Sequence, residues 1–354
     1  MKNRRISQIL IGVFLLLSLI PSLGMLVFGP SPLLANESAS RTPALRNRDG
    51  SFNAEVLSNL SDYIGTRFAL RPYLVSARSF LYEKLLNSSA EEQVTLGMDG
   101  QLYYSSTLDD YCGIHLPQED LEKIAVHLRA IQDAVEANGS TFLFTVAPNK
   151  NTLIPQNMPR RFPSAHYDSN YSRLLPLLAE QGVHTADLVT VLSGRPELYY
   201  KTDSHWTAEG AAIGADTLLQ SLAHESSFAA GPFSEDGLHV GDLYQMLYPT
   251  GKGRETALVY VPGFTYETES DPRGGNAMTI RTHFQNGSGT LYCRRDSFGI
   301  ALYPYLAEAY ADAEFSRSAD YSVEAFSTAQ ADAVLLEIVE RNIPLLLPGE
   351  EVSS

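Results

Sequence analysis

Apolar segments of strand length alternate with segments of helical periodicity along the centre and C-terminal part of this chain. The first pair is a helix from about Pro117 to Asn138, closed by Gly139, and the strand Thr141–Ala147. The alternation continues with helices at about 171–181 and 208–223, and with strands at 183–187, 257–261, 279–284, 290–293 and 333–339. Strands separated by helices favour a mostly parallel sheet covered on both faces, so we predict an α/β fold.

The segment before this alternation is predicted to be helical. Apolar residues recur at helical spacing from Phe52 to Leu86, which indicates two amphipathic helices broken near Arg71-Pro72. Residues 94–104 carry Asp99-Gly100 between two apolar segments, which predicts a hairpin.

The N-terminus has the pattern of an export segment. Three basic residues among the first five precede an apolar stretch from Ile9 to Phe28, long enough for a bilayer-spanning helix with its positive end in the cytoplasm. We therefore predict a membrane anchor at 1–28, a flexible linker at 29–50 and one extracytoplasmic catalytic domain at 51–354 of a single-pass membrane protein. A cleaved signal peptide is the alternative, with Ala35 and Ala39 as small residues near a cleavage site.

Charge and cysteine content exclude several classes of protein. The net charge of −15 repels nucleic-acid backbones, and outside the first five residues no basic cluster offsets it. The two cysteines, Cys112 and Cys293, form no CxxC motif and are too few for a disulfide scaffold. They could pair in an exported protein, or Cys293 could be an ordinary buried thiol.

The densest run of polar residues lies at 199–210, immediately before a predicted helix with Thr207 as its N-cap. An Asp203 carboxylate two residues before His205 can hold the imidazole in one tautomer, leaving the other ring nitrogen as a general base. The alternative is a structural capping cluster. Asp-x-His supplies only two metal ligands with no third in register, so we expect no metal.

Ser297 is the best candidate nucleophile for this base. It lies between a predicted strand and a following helix, where backbone N–H groups line the helix start. The alternative role is a helix cap. Residues 205 and 297 can meet only if the sheet brings two strand ends to one edge.

Two sequence motifs together resemble one known group of proteins. Thr202-Asp203-Ser204-His205-Trp206 and Asp296-Ser297-Phe298 are similar to the hallmark motifs of the SGNH-hydrolase-like alginate O-acetyltransferase group and of the related family named for its Asp-His-His-Trp motif. Ser204 stands where the second family has its first histidine. The resemblance covers about residues 50–345 and includes further segments at 96–104, 146–150, 154–159, 241–243 and 331–341.

The resemblance implies an SGNH-like three-layer α/β/α sandwich that works without a cofactor. It implies Ser297 as nucleophile carrying an acetyl ester, His205 as base and Asp203 as the orienting acid, in the family's permuted chain order. It further implies a polysaccharide acceptor and a membrane-bound O-acyltransferase partner as acetyl donor. Some members carry an additional carbohydrate-binding domain, whereas 57 residues (298–354) follow Ser297 here. We therefore expect the cleft itself to recognise the glycan.

Four further residues are candidates for the site. Asn149, at the end of a predicted strand, could donate to an oxyanion beside the Ser297 amide. Lys150, Tyr303 and Arg341 could contact the sugar. The alternatives are a surface charge for Lys150, a core-edge position for Tyr303 and an i,i+4 ion pair with Glu337 for Arg341.

Trp206, the only tryptophan, is expected to pack beneath the histidine turn rather than to stack on a sugar. Three functions remain open from the sequence: an O-acetyltransferase, an acetylesterase with the same triad, and a catalytically silent cell-surface binding module.

Overall fold

The computed structural model describes residues 2–34, 37, 43–47, 49–164, 168–269 and 277–349. The chain divides into two compact units. The first comprises Met1–Thr95 with Val240–Gly253, and the second comprises Leu96–His239 with Arg254–Ser354.

Helices and strands are numbered in chain order. The α-helices are α1 Lys2–Phe28, α2 Val56–Arg67, α3 Arg71–Leu81, α4 Leu108–Tyr111, α5 Gln118–Glu136, α6 Lys150–Leu153, α7 Asn170–Gln181, α8 Leu188–Leu192, α9 Ala208–Ser221, α10 Asp242–Leu247, α11 Gly299–Ala307 and α12 Val323–Ser327. The strands are β1 Val94–Leu96, β2 Leu102–Tyr104, β3 Thr141–Ala147, β4 Thr185–Ala186, β5 Phe233–His239, β6 Glu255–Tyr260, β7 Glu267–Thr268, β8 Thr279–His283, β9 Thr290–Arg294, β10 Asp312–Ser316 and β11 Ala333–Val339.

Helix α1 has the bounds expected for the N-terminal segment, but the predicted transmembrane assignment is not supported. A span needs about 20 consecutive, predominantly apolar residues. Within the described residues, no helix combines that length with sufficient apolar character. The side chains at 16–18 and 20–22 lie outside the description, as do residues 35, 36, 38–42 and 48 of the predicted linker.

The two helices expected after the linker are confirmed. Helix α2 ends at Arg67 and α3 begins at Arg71, with Pro72 in its first turn. Proline is tolerated there because a first-turn N–H has no partner within the helix. The expected hairpin turn is also present, since the Gly97 amide donates to the Gln101 carbonyl at 2.8 Å.

The second unit is built on a seven-stranded sheet in the order β4-β3-β11-β9-β10-β8-β7. The first five strands run parallel to one another. Strand β8 runs antiparallel to its neighbour β10, and the edge strand β7 pairs antiparallel with β8. The sheet is therefore mixed rather than mostly parallel throughout. Six residues join β8 to β9, and a parallel return needs a crossover of about a dozen or more.

Both faces of this sheet are covered by helices, as the sequence predicted. Along β3, Leu143 belongs to the core beneath α8, α9 and α11, while its neighbours Phe142 and Phe144 belong to the core beneath α5, α7 and α12. Successive strand residues point to opposite faces, so this division places helices on both sides. The second unit is a three-layer α/β/α sandwich.

One predicted strand pairs differently from expectation, and two further strands were not predicted. The strand expected at 257–261 forms as β6, but it pairs with β5 in a separate two-stranded antiparallel ribbon. Strand β5 was not predicted because Ser234, Glu235 and Asp236 make it polar and exposed. Strand β10 was also missed: its five residues include three polar ones, although Phe315 is fully buried.

The cysteine question is resolved in favour of unpaired thiols. Both Cys112 and Cys293 are free. Cys293 lies in β9 and is buried, and this burial raises the pKa of its thiol well above the ordinary value.

Candidate active site

The turn that carries Ser297 joins the end of β9 to the start of α11. Gly299 is required in this turn because a Cβ at that position would lie 2.6 Å from the Arg295 Cβ. The tight turn places Ser297 directly before the helix, as the sequence predicted.

The Asp296 carboxylate holds this turn in place. Its Oδ1 accepts from the Phe298 amide at 2.9 Å, and its Oδ2 accepts from the Val339 amide at 2.7 Å and from Asn342 Nδ2 at 3.2 Å. The Ser297 turn is therefore tied to the end of the neighbouring strand β11.

The turn that carries Asp203 and His205 is fixed from two sides. The Glu255 carboxylate on β6 accepts from the Lys201 and Thr202 amides at 2.7 and 2.6 Å. The ammonium of Lys150 donates to the carbonyls of Leu102, Lys201 and Asp203 at 2.8, 2.6 and 3.0 Å. The Glu255 carboxylate thus accepts hydrogen bonds from backbone N–H groups of the turn, and the buried Lys150 ammonium donates hydrogen bonds to its carbonyls.

The aromatic packing beneath this turn involves Trp206. Trp206 is 2% exposed, and its ring meets Phe298 edge-on at 5.1 Å between centroids. This is the packing position predicted for it. Thr207 caps α9 as predicted, since its hydroxyl accepts from the Gly210 amide at 3.3 Å.

These two turns bring Ser297, His205 and Asp203 into one hydrogen-bonded set. His205 Nδ1 lies 2.7 Å from Asp203 Oδ1, and His205 Nε2 lies 2.9 Å from Ser297 Oγ. Because a carboxylate can only accept, Nδ1 carries the proton and Nε2 is left to accept from the serine hydroxyl. This is the arrangement that activates a serine for attack on a carbonyl carbon.

A second histidine, which the sequence analysis missed, contacts the same carboxylate. His239 Nε2 donates to Asp203 Oδ2 at 2.8 Å, so the two carboxylate oxygens each bind a different imidazole. The His239 ring stacks on Tyr200 at 3.7 Å and 10°. His239 ends the unpredicted strand β5, 34 residues after His205 and outside the Asp-x-His motif, so no local pattern revealed it.

We predict that His239→Ala lowers kcat/KM for 4-nitrophenyl acetate by about ten- to a hundredfold, because a hydrogen bond to a charged group contributes about 1.5–3 kcal/mol. Esterase kinetics would measure this. The matched control is His184→Ala, at an exposed histidine whose ring lies 3.3 Å from Glu136, and it should be neutral. Equal rates for both variants would show that His239 does not support Asp203.

The other candidate residues lie outside the hydrogen-bonded set of Ser297, His205 and Asp203. Asn149 is buried and lines a separate cavity of about 480 Å³ with Tyr111 and Tyr171. Its backbone N–H donates to Glu340 Oε2 at 2.9 Å. Lys150 is buried and binds the carbonyls given above. It does not line the cavity of about 550 Å³ at Ser297, called the Ser297 cavity below.

Tyr303 and Arg341 also differ in position. The Tyr303 ring packs against Tyr266 and Phe315 and lies outside the Ser297 cavity. The Arg341 guanidinium lies 5.2 Å from the Tyr104 ring centre and 5.6 Å from that of Phe298, the residue after Ser297. Across the described residues, no ion pair joins Arg341 to Glu337.

Glu337 lies instead behind the turn that carries Ser297. It is fully buried on β11, and its Oε2 accepts from the Asp296 amide at 3.2 Å. Burial raises the pKa of the Glu337 carboxyl well above its ordinary value, and repulsion from the Asp296 carboxylate raises it further. Folding therefore shifts the protonation equilibrium of the Glu337 carboxyl toward the neutral acid, relative to the unfolded chain.

This raised pKa predicts how stability changes with pH. The folded state holds a proton that the unfolded state loses above the ordinary pKa of glutamate, so stability falls as pH rises through that value toward the folded pKa. We expect Glu337→Gln to remove this loss, because the amide stays neutral. Melting temperatures measured from pH 4 to 9 test it, and parallel curves for both proteins would contradict it.

Ser297, His205 and Asp203 line a cavity of about 550 Å³. Its remaining wall comes largely from β6, from Phe264 and from the first turns of α11. Ser297 is partly exposed, so its hydroxyl lies at the surface of this cavity.

Comparison with known proteins gives a consistent assignment. A family model described as "SGNH hydrolase-like domain, acetyltransferase AlgX" matches residues 94–278, more than half of the chain. That range includes Asp203, His205 and His239 and ends before Ser297.

The curated relatives share low sequence identity with this chain. Probable alginate O-acetylases AlgJ are 25% identical over 142 residues in Pseudomonas syringae pv. tomato and 28% over 167 residues in Pseudomonas aeruginosa. These matches cover 39% and 44% of this chain but only 36% and 41% of the relatives.

Two solved structures share the fold. Bacillus cereus PatB1, solved with a sulfonyl adduct, has a TM-score of 0.54 at 14% identity, covering 72% of this chain and all of that one. A DHHW family protein from Eubacterium siraeum has a TM-score of 0.53 at 14% identity, covering 72% and 92%. With its family match and its three-layer α/β sandwich, this chain belongs to the SGNH hydrolase-like domain family of the acetyltransferase AlgX.

Proposed function

We propose that this protein is an extracytoplasmic O-acetyltransferase that moves acetyl groups onto a polysaccharide hydroxyl through an ester on Ser297. The observation that carries the proposal is the hydrogen-bonded series from Ser297 Oγ through His205 to Asp203 within one cavity. Membership of an acetyltransferase family supports transfer of an acyl group as the reaction.

The first half of the proposed reaction forms the acyl-enzyme. Ser297 Oγ attacks the carbonyl carbon of the donor ester while His205 Nε2 takes the hydroxyl proton. The donor C–O bond then breaks, and His205 returns the proton to the departing oxygen. Asp203 stabilises the transient imidazolium and holds its orientation.

The second half transfers the acetyl group to the acceptor. A sugar hydroxyl attacks the ester carbonyl, its proton passes to His205 Nε2, and the bond between the carbonyl carbon and Ser297 Oγ breaks. His205 then returns the proton to the serine. Water in place of the sugar gives hydrolysis by the same steps, so access of the acceptor decides the outcome.

The proposed polysaccharide acceptor is suggested by the names of the relatives and by the position of Arg341. Curated relatives are named as probable alginate O-acetylases, which makes a uronate polymer the first acceptor to test. The net charge of −15 opposes binding of a polyanion. Arg341, beside the Phe298 ring, is the proposed contact for acceptor oxygens and would offset this repulsion locally.

We also infer that the protein works outside the cytoplasm and receives acetyl groups from a membrane-bound O-acyltransferase. The basic residues before an apolar N-terminal stretch support export. Alkaline phosphatase fused after residue 354 should be active if the inference is correct. An inactive but stable fusion would contradict it.

The decisive experiment measures where the acetyl group goes. Purified protein is incubated with 4-nitrophenyl acetate and deacetylated alginate, or with a neutral β-glucan, and polymer-bound ester is quantified against released acetate. We expect Ser297-dependent ester on at least one polymer, with release of acetate falling as the acceptor increases. Acetate alone at every acceptor concentration would identify an esterase.

A further inference from the structure

The cavity at Ser297 has one polar end and one apolar end. Its polar groups are concentrated around Ser297, His205, Asp203 and His239. The rest of its described lining is mainly aliphatic and aromatic, with no amide or cationic side chain, and includes Leu258, Val259, Tyr260, Phe264, Ile300, Ala301 and Pro304.

Of the three tyrosines in this lining, Tyr200 and Tyr305 have hydroxyls that are already hydrogen-bonded to the protein. The Tyr305 hydroxyl donates to the Ala208 carbonyl at 2.9 Å, and the Tyr200 hydroxyl accepts from the Leu258 amide at 3.2 Å. The Tyr305 ring meets Phe264 edge-on at 4.9 Å. The far end of the cavity is thus walled mainly by carbon atoms.

This lining favours one of the two groups that must approach Ser297, which are the acyl group of the donor and the sugar hydroxyl of the acceptor. A sugar presents several hydroxyls, and each one buried without a partner costs about tenfold in affinity or more. A methylene chain buried against the same wall gains affinity instead. The acyl group therefore suits the apolar end better than the acceptor does.

The size of the cavity exceeds what an acetyl group fills. A methyl group is comparable with a water molecule, which occupies roughly 30 Å³ of the liquid, against about 550 Å³ here. An acetyl ester on Ser297 would leave most of the apolar wall uncovered.

We propose that this cavity is an acyl-chain site and that the enzyme accepts acyl groups of four to six carbons in addition to acetyl. The inference rests on the proposed function, since it assumes an acyl ester on Ser297. The carbonyl carbon lies at Ser297 Oγ, and the chain extends along β6 and α11. The chemistry is unchanged: the ester bond to Ser297 forms as the donor C–O bond breaks.

The test is a chain-length series on the full chain, using the 4-nitrophenyl esters of acetate, butyrate, hexanoate and octanoate. Each kcat/KM is divided by the rate of hydroxide hydrolysis of the same ester. We expect about a fourfold gain per added methylene from acetate to hexanoate. A decline from acetate to butyrate would overturn the inference.

Two variants locate the chain. Ala301→Leu, on α11, places extra carbon in the cavity and should lower the hexanoate-to-acetate ratio at least tenfold. Val259→Trp, on β6, also places extra carbon in the cavity and should have the same effect. It is the second variant to use if Ala301→Leu fails to fold. The matched control is Ala137→Leu, at an exposed alanine ending α5, which should leave the ratio unchanged.

The possible failures are distinguishable. If acetate is hydrolysed in a Ser297-dependent way but longer esters are not, the acyl-chain site is wrong and the proposed function stands. If no ester is hydrolysed, the proposed function fails as well. If Ala301→Leu raises the KM for the polysaccharide and leaves the chain-length ratio unchanged, the cavity holds sugar and the inference is overturned.

Discussion

Ser297→Ala is expected to lower hydrolysis of 4-nitrophenyl acetate, and transfer to polysaccharide, by at least about a thousandfold. Alanine has no oxygen to carry the acyl group, and residual activity would come only from substrate binding and remaining electrostatic stabilisation. Initial rates with purified proteins measure the loss, and mass spectrometry of the Ser297 peptide after a short reaction should detect an acetyl adduct only in the unmodified enzyme.

The control for this experiment is Ser193→Ala, at an exposed serine after α8 whose hydroxyl donates to the Val189 carbonyl at 2.7 Å. It should retain full activity. Circular dichroism melting of both variants separates loss of chemistry from loss of fold. Turnover within tenfold of the unmodified enzyme in a folded Ser297→Ala protein would show that another group is the nucleophile.

The second large effect is expected at His205 and Asp203. His205→Ala should cost about as much as Ser297→Ala, and adding Asp203→Ala to it should cost little more, because residues that act as one unit lose function non-additively. Asp203→Asn should lower kcat by up to about 10⁴-fold, since an amide donor favours the wrong imidazole tautomer.

A double-mutant cycle across these two positions provides the measurement. Free energies of activation from kcat/KM are compared for the single variants and for the double variant. If the two losses add, the residues have separate structural roles and the triad interpretation is wrong.

The sequence predicted those parts of the fold that depend on local patterns. Helix α5 and strand β3 were recognised because long periodic or apolar segments are bounded by clear stop signals such as Gly139. The predicted cap of α9 at Thr207 is confirmed by its hydrogen bond to the Gly210 amide. Asp203, His205 and Ser297 could be picked out as candidates because the turns that carry them are short motifs at element boundaries, and the structure places the three side chains in one hydrogen-bonded set.

The missed elements have a common physical cause. Strand β5 is polar and exposed, so its conformation depends on pairing with β6 and not on an apolar pattern of its own. The antiparallel direction of β8 likewise depends on its pairing with β10. Register and partner choice involve residues far apart in the chain, and local periodicity cannot encode them.

The amino-acid sequence by itself determined the class of fold, the three residues proposed for chemistry and the resemblance to an acetyltransferase family. Only the tertiary structure decided that His239 shares the Asp203 carboxylate and that Asn149 lines a different cavity. It also decided that the buried Lys150 ammonium binds carbonyls of the turn that carries Asp203. The physical reason is that a side chain's role depends on the partners that packing brings to it. Those partners lie tens of residues away along the chain, while the motifs lie within a few.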